Sequence, residues 1–223
     1  MKRTKLRDRL LPDYTHGEEI FNTVSHIVGG GFGVIALVAC VLRAALWGDA
    51  WDVVGGAIYG GSMVVLYTIS SVYHGLHHPM GKKVMQVLDH CTIYLLIAGT
   101  YTPILLSAIR PLSQPWAWTL FGIEWGLAAM AATLTAIDLK KYAALSMSCY
   151  IGMGWCIVIA AHIAIRAIPR PGLLWLLAGG IAYTIGAVLY GLGKKHRYMH
   201  SVFHLFVVAG SLLQFVCILF YVL

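Results

Sequence analysis

The sequence predicts an all-α membrane protein, built as a bundle of seven transmembrane helices. Its 223 residues are 59% hydrophobic and 11% charged, whereas soluble globular domains carry about 25% charged residues. The mean hydropathy of the chain is +0.77. Seven apolar stretches also reach the roughly 20 residues that a helix needs to cross the hydrocarbon core of a bilayer.

The apolar stretches follow one another with short interruptions. They lie near residues 20–47, 52–76, 84–108, 115–137, 142–165, 172–193 and 200–222. The segments between them are polar or rich in Pro and Gly, and short connections make consecutive helices antiparallel neighbours. We therefore expect residues 1–19 to form a cytoplasmic N-terminal segment and residues 20–223 to form one membrane domain. The basic start of the chain lacks the apolar stretch of a signal peptide.

The distribution of Lys and Arg predicts the orientation of the bundle. The N-terminal segment and the second, fourth and sixth connections hold twelve of the sixteen basic residues. The opposite side holds four, Arg43, Arg110, Arg166 and Arg170. Cytoplasmic loops are enriched in Lys and Arg, so we expect the N-terminus in the cytoplasm and the C-terminus outside it, in a multi-pass protein of the plasma (inner) membrane. The basic residues are scattered among these loops, which does not indicate a nucleic-acid partner.

Cysteine and glycine patterns indicate packing. The five cysteines lie inside apolar stretches without a CxxC pair, so we expect no disulfide framework. Gly56 and Gly60 form a GxxxG pattern, which is typical of close helix packing in lipid.

Polar residues that share one predicted membrane depth indicate the functional site. They occupy the cytoplasmic ends of four spans and are Glu19, Asn22, His26, Ser70, His74, Asp89, His90, His200 and His204. Spacings of three, four and seven residues place the members from the first, second and seventh spans on one face of each helix. Polar groups in lipid are costly unless they find partners, so we expect these faces to meet.

The histidines make this cluster a candidate metal site. Two imidazoles four residues apart can bind one ion, and three imidazoles with a water form a four-coordinate zinc site with an open position. The spacing does not rank the five candidates, which are His26, His74, His90, His200 and His204. Asp89 would either orient an imidazole or act as general base for the bound water. Mutual packing of the polar faces without a metal is the simpler alternative.

Other polar residues are predicted to lie outside this site. We expect His77 and His78 to be solvated in a loop, and His162 to be packed or interfacial near the outer end of the fifth span. Asp138 lies in the DLKK loop and is expected to be solvated. Glu124 lies inside the fourth span, and the sequence gives it no partner.

The combined pattern resembles the hemolysin-III branch of the progestin and adipoQ receptor family. It consists of Glu19-x-x-Asn22-x-x-x-His26, Ser70-x-x-x-His74, Asp89 and His200-x-x-x-His204. The surrounding segments SSVYHGLHH, LDHCTIYLLIAGTYTP and HSVFHLFVVAG also fit. The resemblance covers the chain from about residue 16 onward. The family belongs to a larger group of seven-helix membrane proteins that includes the adiponectin receptors and the alkaline ceramidases.

The resemblance implies a zinc ion bound by His74, His200 and His204, with Asp89 and Ser70 as catalytic groups close to the metal-bound water. Glu19, Asn22 and His26 would then support these ligands from the first span. It also implies hydrolysis of an amide or ester bond of a membrane lipid at the cytoplasmic leaflet. We expect the chain to differ from the receptors in lacking their long N-terminal domain, and it has His90 where they usually have an aromatic residue.

Two other functions remain open at this stage. One is the cytolytic pore that the branch name implies; the outer part of the seventh span offers only Ser211 and Gln214 as polar groups, which argues against a conducting path through the monomer. The other is a non-catalytic sensor or membrane-homeostasis protein with a structural zinc. Structural zinc usually has four protein ligands and no open position, so the fourth ligand would separate a sensor from a hydrolase.

Overall fold

A computed structural model describes residues 4–193 and 196–223 of the chain. Seven of the described helices are long and apolar enough to cross a membrane: α1 (His16–Trp47), α2 (Ala50–Gly75), α3 (Pro79–Ile109), α4 (Gln114–Ile137), α5 (Ala143–Ala167), α6 (Arg170–Leu192) and α7 (Met199–Val222). These helices confirm the predicted all-α class and the seven predicted spans. Lys2, Arg3, Lys194 and Lys195, which contribute to the predicted orientation, lie outside the described residues.

Two helices, α1 and α3, begin about one turn earlier than hydropathy predicts, because local caps start them. Thr15 precedes α1, where its side chain accepts a hydrogen bond from Glu18 N and its own N–H donates to Glu18 Oε2 at 2.8 Å. This reciprocal capping box satisfies N–H groups that a helix start otherwise leaves free. His78 caps α3 by accepting from Gly81 N at 3.1 Å. As a result Glu19 lies within the first turn of α1, and Asp89 lies well inside α3.

Three of the spans are irregular, and one of them is α7, which is α-helical over Met199–Cys217 and a π-helix over Ile218–Val222. The α-helical part of α3 ends at Pro103 and continues as a π-helix over Ile104–Ile109. Span α5 is α-helical over Ala143–Gly154 and 3-10 helical over Cys156–Ala160 before the α-helix resumes. The interruption of α5 brings Gly154 and Trp155 to the wall of a cavity inside the bundle.

The helices pack mainly as sequential neighbours, and α1 also contacts α7, which closes the bundle. Glycines bring α2 onto α1. A Cβ atom on Gly56 would lie 3.1 Å from Cys40 Cβ, and one on Gly60 would overlap the backbone of Leu37. The predicted packing role of the GxxxG pattern is therefore confirmed.

Helices α1, α3 and α7 begin, and α2 finishes, at the same end of the bundle. We call this end the histidine end. Residues 4–15, including a short 3-10 helix over Leu6–Asp8, lie across this end, and we call them the N-terminal strap. Arg9 Nη2 donates to Ile137 O at 2.9 Å, and Arg197 Nη1 donates to Asp13 O at 2.9 Å. The strap thus connects the end of α4 with the segment that leads into α7.

The expectation that Asp138 is solvated is wrong. Asp138 is only 2% exposed. Its carboxylate accepts hydrogen bonds from Thr4 N at 2.8 Å and from Lys141 N at 3.1 Å. These backbone N–H donors, with Arg9 nearby, hold the pKa of Asp138 below its usual value. Asp138 is therefore an anchor for the strap rather than a free loop residue.

Candidate metal centre

Three imidazoles from α2 and α7 converge at the histidine end. His200 Nε2 lies 3.2 Å from His74 Nε2 and 3.1 Å from His204 Nε2. One ligand atom from each of the three residues lies within 4.8 Å of the other two. His74 and His204 are each 1% exposed, so the cluster is inside the protein.

The spacing of these nitrogens fits a metal ion. Neutral imidazoles placed this closely either share protons or bind a cation, because their lone pairs otherwise repel. A tetrahedral zinc with bonds of about 2.0–2.1 Å needs nitrogens roughly 3.3 Å apart. The separations of 3.1 and 3.2 Å from His200 to its two neighbours are close to this value, and the ligand atoms of His74 and His204 lie within 4.8 Å of each other. Three imidazoles would leave one position of a four-coordinate ion open.

Residues of α1 lie behind two of the imidazoles. Glu19 Oε2 lies 2.6 Å from His74 Nδ1, and the other Glu19 oxygen lies 2.7 Å from Lys82 Nζ. Ser25 Oγ lies 3.4 Å from His204 Nδ1. Polar partners behind a histidine fix its ring and its tautomer, so these contacts direct the Nε2 atoms of both residues toward the centre of the cluster.

Asn22 and His26 contact the cluster in different ways. Asn22 Nδ2 lies 3.5 Å from His74 Nδ1, and its Oδ1 accepts from Ser201 Oγ at 2.7 Å, which joins α1 to α7. The ring of His26 stacks on His204 with centroids 3.6 Å apart and an interplanar angle of 10°. Neither nitrogen of His26 has a hydrogen-bond partner among the described residues, and His26 is not one of the three converging histidines.

Asp89 lies near the cluster but outside it. It lines the inner cavity together with His200, and no described hydrogen bond joins it to the three imidazoles. The Nδ1 atom of His90 lies 3.8 Å from Asp89 Oδ2 but only 2.9 Å from Gln86 O. His90 therefore faces its own helix and is not a member of the converging group.

Ser70 is buried on α2, one helical turn before His74. Within residues 4–193 and 196–223 it makes no hydrogen bond with Asp89 or with the three imidazoles. Its predicted catalytic role stays a prediction.

An apolar cavity of about 140 Å³ extends from the cluster into the bundle. Asp89, His90 and His200 line one end, and Leu96, Phe203, Val207 and Trp155 are among the residues that line the rest. Gln214 lies at the far end, and at 1.5 Å rise per residue it is about 21 Å along α7 from His200.

A second, more polar pocket of about 490 Å³ lies between the cluster and the N-terminal strap, and we call it the vestibule. Asp13, Tyr14, Arg197, Tyr190 and His200 are among its lining residues. His200 and Tyr190 line both compartments, so the two pockets adjoin at His200. Burial raises the pKa of the Tyr14 phenol above its usual value.

The remaining polar residues lie away from the centre. His77 and His78 are exposed, as predicted. His162 is exposed and packs edge-on against Trp116, with ring centroids 5.3 Å apart. Glu124 is completely buried in α4; the Cys156 thiol lies nearby, but neither carboxylate oxygen meets hydrogen-bond geometry with a described residue.

Sequence reasoning missed several residues that shape the site. Glu18 accepts from Tyr198 N at 2.6 Å, and its Thr15-x-x-Glu18 pattern is a capping-box signal that the sequence contains. Ser25 follows Asn22 by three residues and so shares its helix face. Tyr14 precedes the first span, and no periodicity or depth argument could select it.

The fold and the site together define a class: a multi-pass integral membrane protein whose helices bring three imidazoles together at one end of the bundle. The chain matches the family model described as "Haemolysin-III related" over residues 14–215, and it belongs to this family. It is 41% identical to Hemolysin-3 of Bacillus cereus over 92% of both chains. It is 38% identical to the Hemolysin-3 homolog of Bacillus subtilis (strain 168), over 93% of this chain and 96% of that one.

A more distant relative is the adiponectin receptor protein of Drosophila melanogaster. It is 27% identical over 73% of this chain and 41% of the receptor. The family resemblance that the motifs indicate is therefore confirmed.

Proposed function

We propose that this protein is a zinc-dependent hydrolase of the plasma membrane that cleaves an amide or ester bond of a membrane lipid. The observation that carries the proposal is the convergence of three Nε2 atoms with separations of 3.1 and 3.2 Å beside an apolar cavity. Three nitrogen ligands and an open position are typical of catalytic rather than structural zinc.

His74, His200 and His204 would hold the zinc. When bound, zinc would polarise a carbonyl group and lower the pKa of a coordinated water to about 7. Asp89 lines the cavity beside His200, and its carboxylate would take a proton from the attacking water. The same carboxyl group would return that proton to the leaving amine or alcohol. The Ser70 hydroxyl would serve as a hydrogen-bonding group beside the reacting carbonyl.

The two compartments suit the two parts of a lipid. The inner cavity is lined mainly by apolar and aromatic side chains over about 21 Å of α7, which favours an acyl chain. The vestibule carries Asp13, Arg197 and His196, which favours a polar headgroup. In the predicted orientation, the histidine end faces the cytoplasm, so the lipid would enter from that leaflet.

Liposomes containing the purified protein test this function against cytolysis, which the names of the relatives imply. We expect release of fatty acid that a zinc chelator abolishes, without leakage of an encapsulated dye. The double variant His200→Ala/His204→Ala should lose zinc and turnover, whereas His162→Ala should keep both. Dye leakage that persists in the double variant, with no lipid turnover in the wild type, would overturn the proposal.

A further inference from the structure

The three imidazoles of the cluster differ in what lies behind them. Polar groups lie near the Nδ1 atoms of two: Glu19 and Asn22 near that of His74, and Ser25 near that of His204. The Nδ1 atom of His200 is buried and has no hydrogen-bond partner among the described residues. Metal-binding histidines almost always use that second nitrogen to fix their ring, so His200 must be held in another way.

An aromatic ring occupies the place beside His200. The ring of Tyr14 stacks on the imidazole with centroids 5.0 Å apart and an interplanar angle of 16°. Tyr190 and Phe203 also contact His200, at 5.5 and 5.8 Å, but their planes are tilted by 58° and 33°. Tyr14 also lies 5.7 Å from the ring of His74. It therefore touches two of the three candidate ligands.

The backbone on both sides of Tyr14 is held in place. Arg197 Nη1 donates to Asp13 O at 2.9 Å, and Thr15 N donates to Glu18 Oε2 at 2.8 Å. The same Glu18 carboxylate accepts from Tyr198 N at 2.6 Å, two residues before His200. One buried carboxylate thus ties the segment that carries Tyr14 to the start of the helix that carries His200.

We propose that Tyr14 is a positioning residue of the metal centre. Its ring stacks on His200 and fixes that imidazole, as polar contacts fix His74 and His204. The inference rests on the zinc site proposed above and deepens it. A residue of the N-terminal strap then sets the affinity of a site whose ligands all belong to the membrane bundle. The aromatic face, rather than the phenol hydroxyl, performs this role.

Zinc affinity of the full-length protein, measured by chelator competition, tests the role of Tyr14. We expect Tyr14→Ala and Tyr14→Leu to weaken zinc binding about 10-fold or more, the effect typical of removing a group that orients a ligand. Tyr14→Phe keeps the ring and should bind zinc like the wild type. Tyr142→Ala, which removes a tyrosine elsewhere on the histidine end, should also leave the affinity unchanged.

The outcomes separate this inference from the proposed function. Wild-type affinity in Tyr14→Ala or Tyr14→Leu would overturn the role of Tyr14 and leave the zinc site standing. Equal weakening in Tyr14→Phe and Tyr14→Ala would assign the effect to the hydroxyl and overturn the stacking role. A wild-type protein that binds no zinc would overturn both. Affinities are compared only between variants that show a cooperative melting transition in excess chelator; if Tyr14→Ala does not fold, Tyr14→Leu decides.

Discussion

Glu19 holds His74 and is itself held by a lysine: its two carboxylate oxygens lie 2.6 Å from His74 Nδ1 and 2.7 Å from Lys82 Nζ. The carboxylate therefore links α1, the end of α2 and the start of α3 at the metal centre. Replacing Glu19 with Gln keeps the shape but removes the negative charge that favours an N–H at Nδ1.

The first prediction concerns this pair. We expect Glu19→Gln to lower zinc affinity about 10- to 100-fold, because it weakens the group that orients His74. Chelator competition measures the effect, with Asp8→Asn, at an exposed acidic residue of the strap, as the control. Unchanged zinc affinity in Glu19→Gln would show that His74 is held without this carboxylate.

The second prediction concerns Asp89. Because Asp89 is not part of the converging group, we expect Asp89→Asn to keep its zinc. Turnover of a fatty acyl amide or ester should fall by about 10²- to 10⁴-fold, since an amide cannot accept the proton. Zinc content and lipid turnover are measured on the same preparation. Loss of zinc in this variant would instead make Asp89 a ligand.

The third prediction concerns pH and the anchor of the strap. The pKa of Asp138 is lowered in the folded protein, mainly by the hydrogen bond from Thr4 N. Its ionised form therefore stabilises the fold at pH values above the usual aspartate pKa of about 3.9, and this contribution is lost as the pH falls through the lower folded pKa.

Thermal unfolding from pH 7 down to pH 3 measures this contribution. Asp138→Asn should melt below the wild type at neutral pH, and the difference should shrink below about pH 4. Asp8→Asn, whose side chain is exposed, serves as control and should show no such difference. A gap between wild type and Asp138→Asn that grows in acid would contradict the expected sign.

The fourth prediction concerns orientation. The excess of Lys and Arg on one side predicts that the histidine end faces the cytoplasm. A reporter active only outside the cytoplasm should give signal when fused after Leu223 and none when fused after Lys141. The reverse pattern would place the proposed substrate entry in the opposite leaflet.

Much of the fold could be predicted because a spanning helix needs about 20 apolar residues. Such stretches are recognisable even where the loops between them are short. Helix starts were harder, since the caps at Thr15 and His78 are local hydrogen bonds that hydropathy does not register. The strap could not be predicted, because the bond from Thr4 N to Asp138 joins residues 134 positions apart.

The site shows the same division. The spacing of four residues predicted that His200 and His204 lie on one face of α7. The shared membrane depth predicted that His74 lies near them. Spacing does not give the rotation of a helix about its own axis, so it could not separate His26, which stacks behind His204, from the three residues that converge. The contact of Tyr14 with His200 depends on the path of an irregular segment, for which the sequence has no periodic signal.

The wide sequence separation of the converging imidazoles has a consequence for the biogenesis of the protein. His74 and His200 are 126 residues apart, and His204 follows four residues later in α7. At about 5–20 residues per second, a ribosome needs about 6–25 s to pass from the first of these ligands to the second. A nascent chain that has not yet reached α7 therefore lacks two of the three nitrogens, and we expect it to remain inert toward the surrounding lipids until α7 has been inserted.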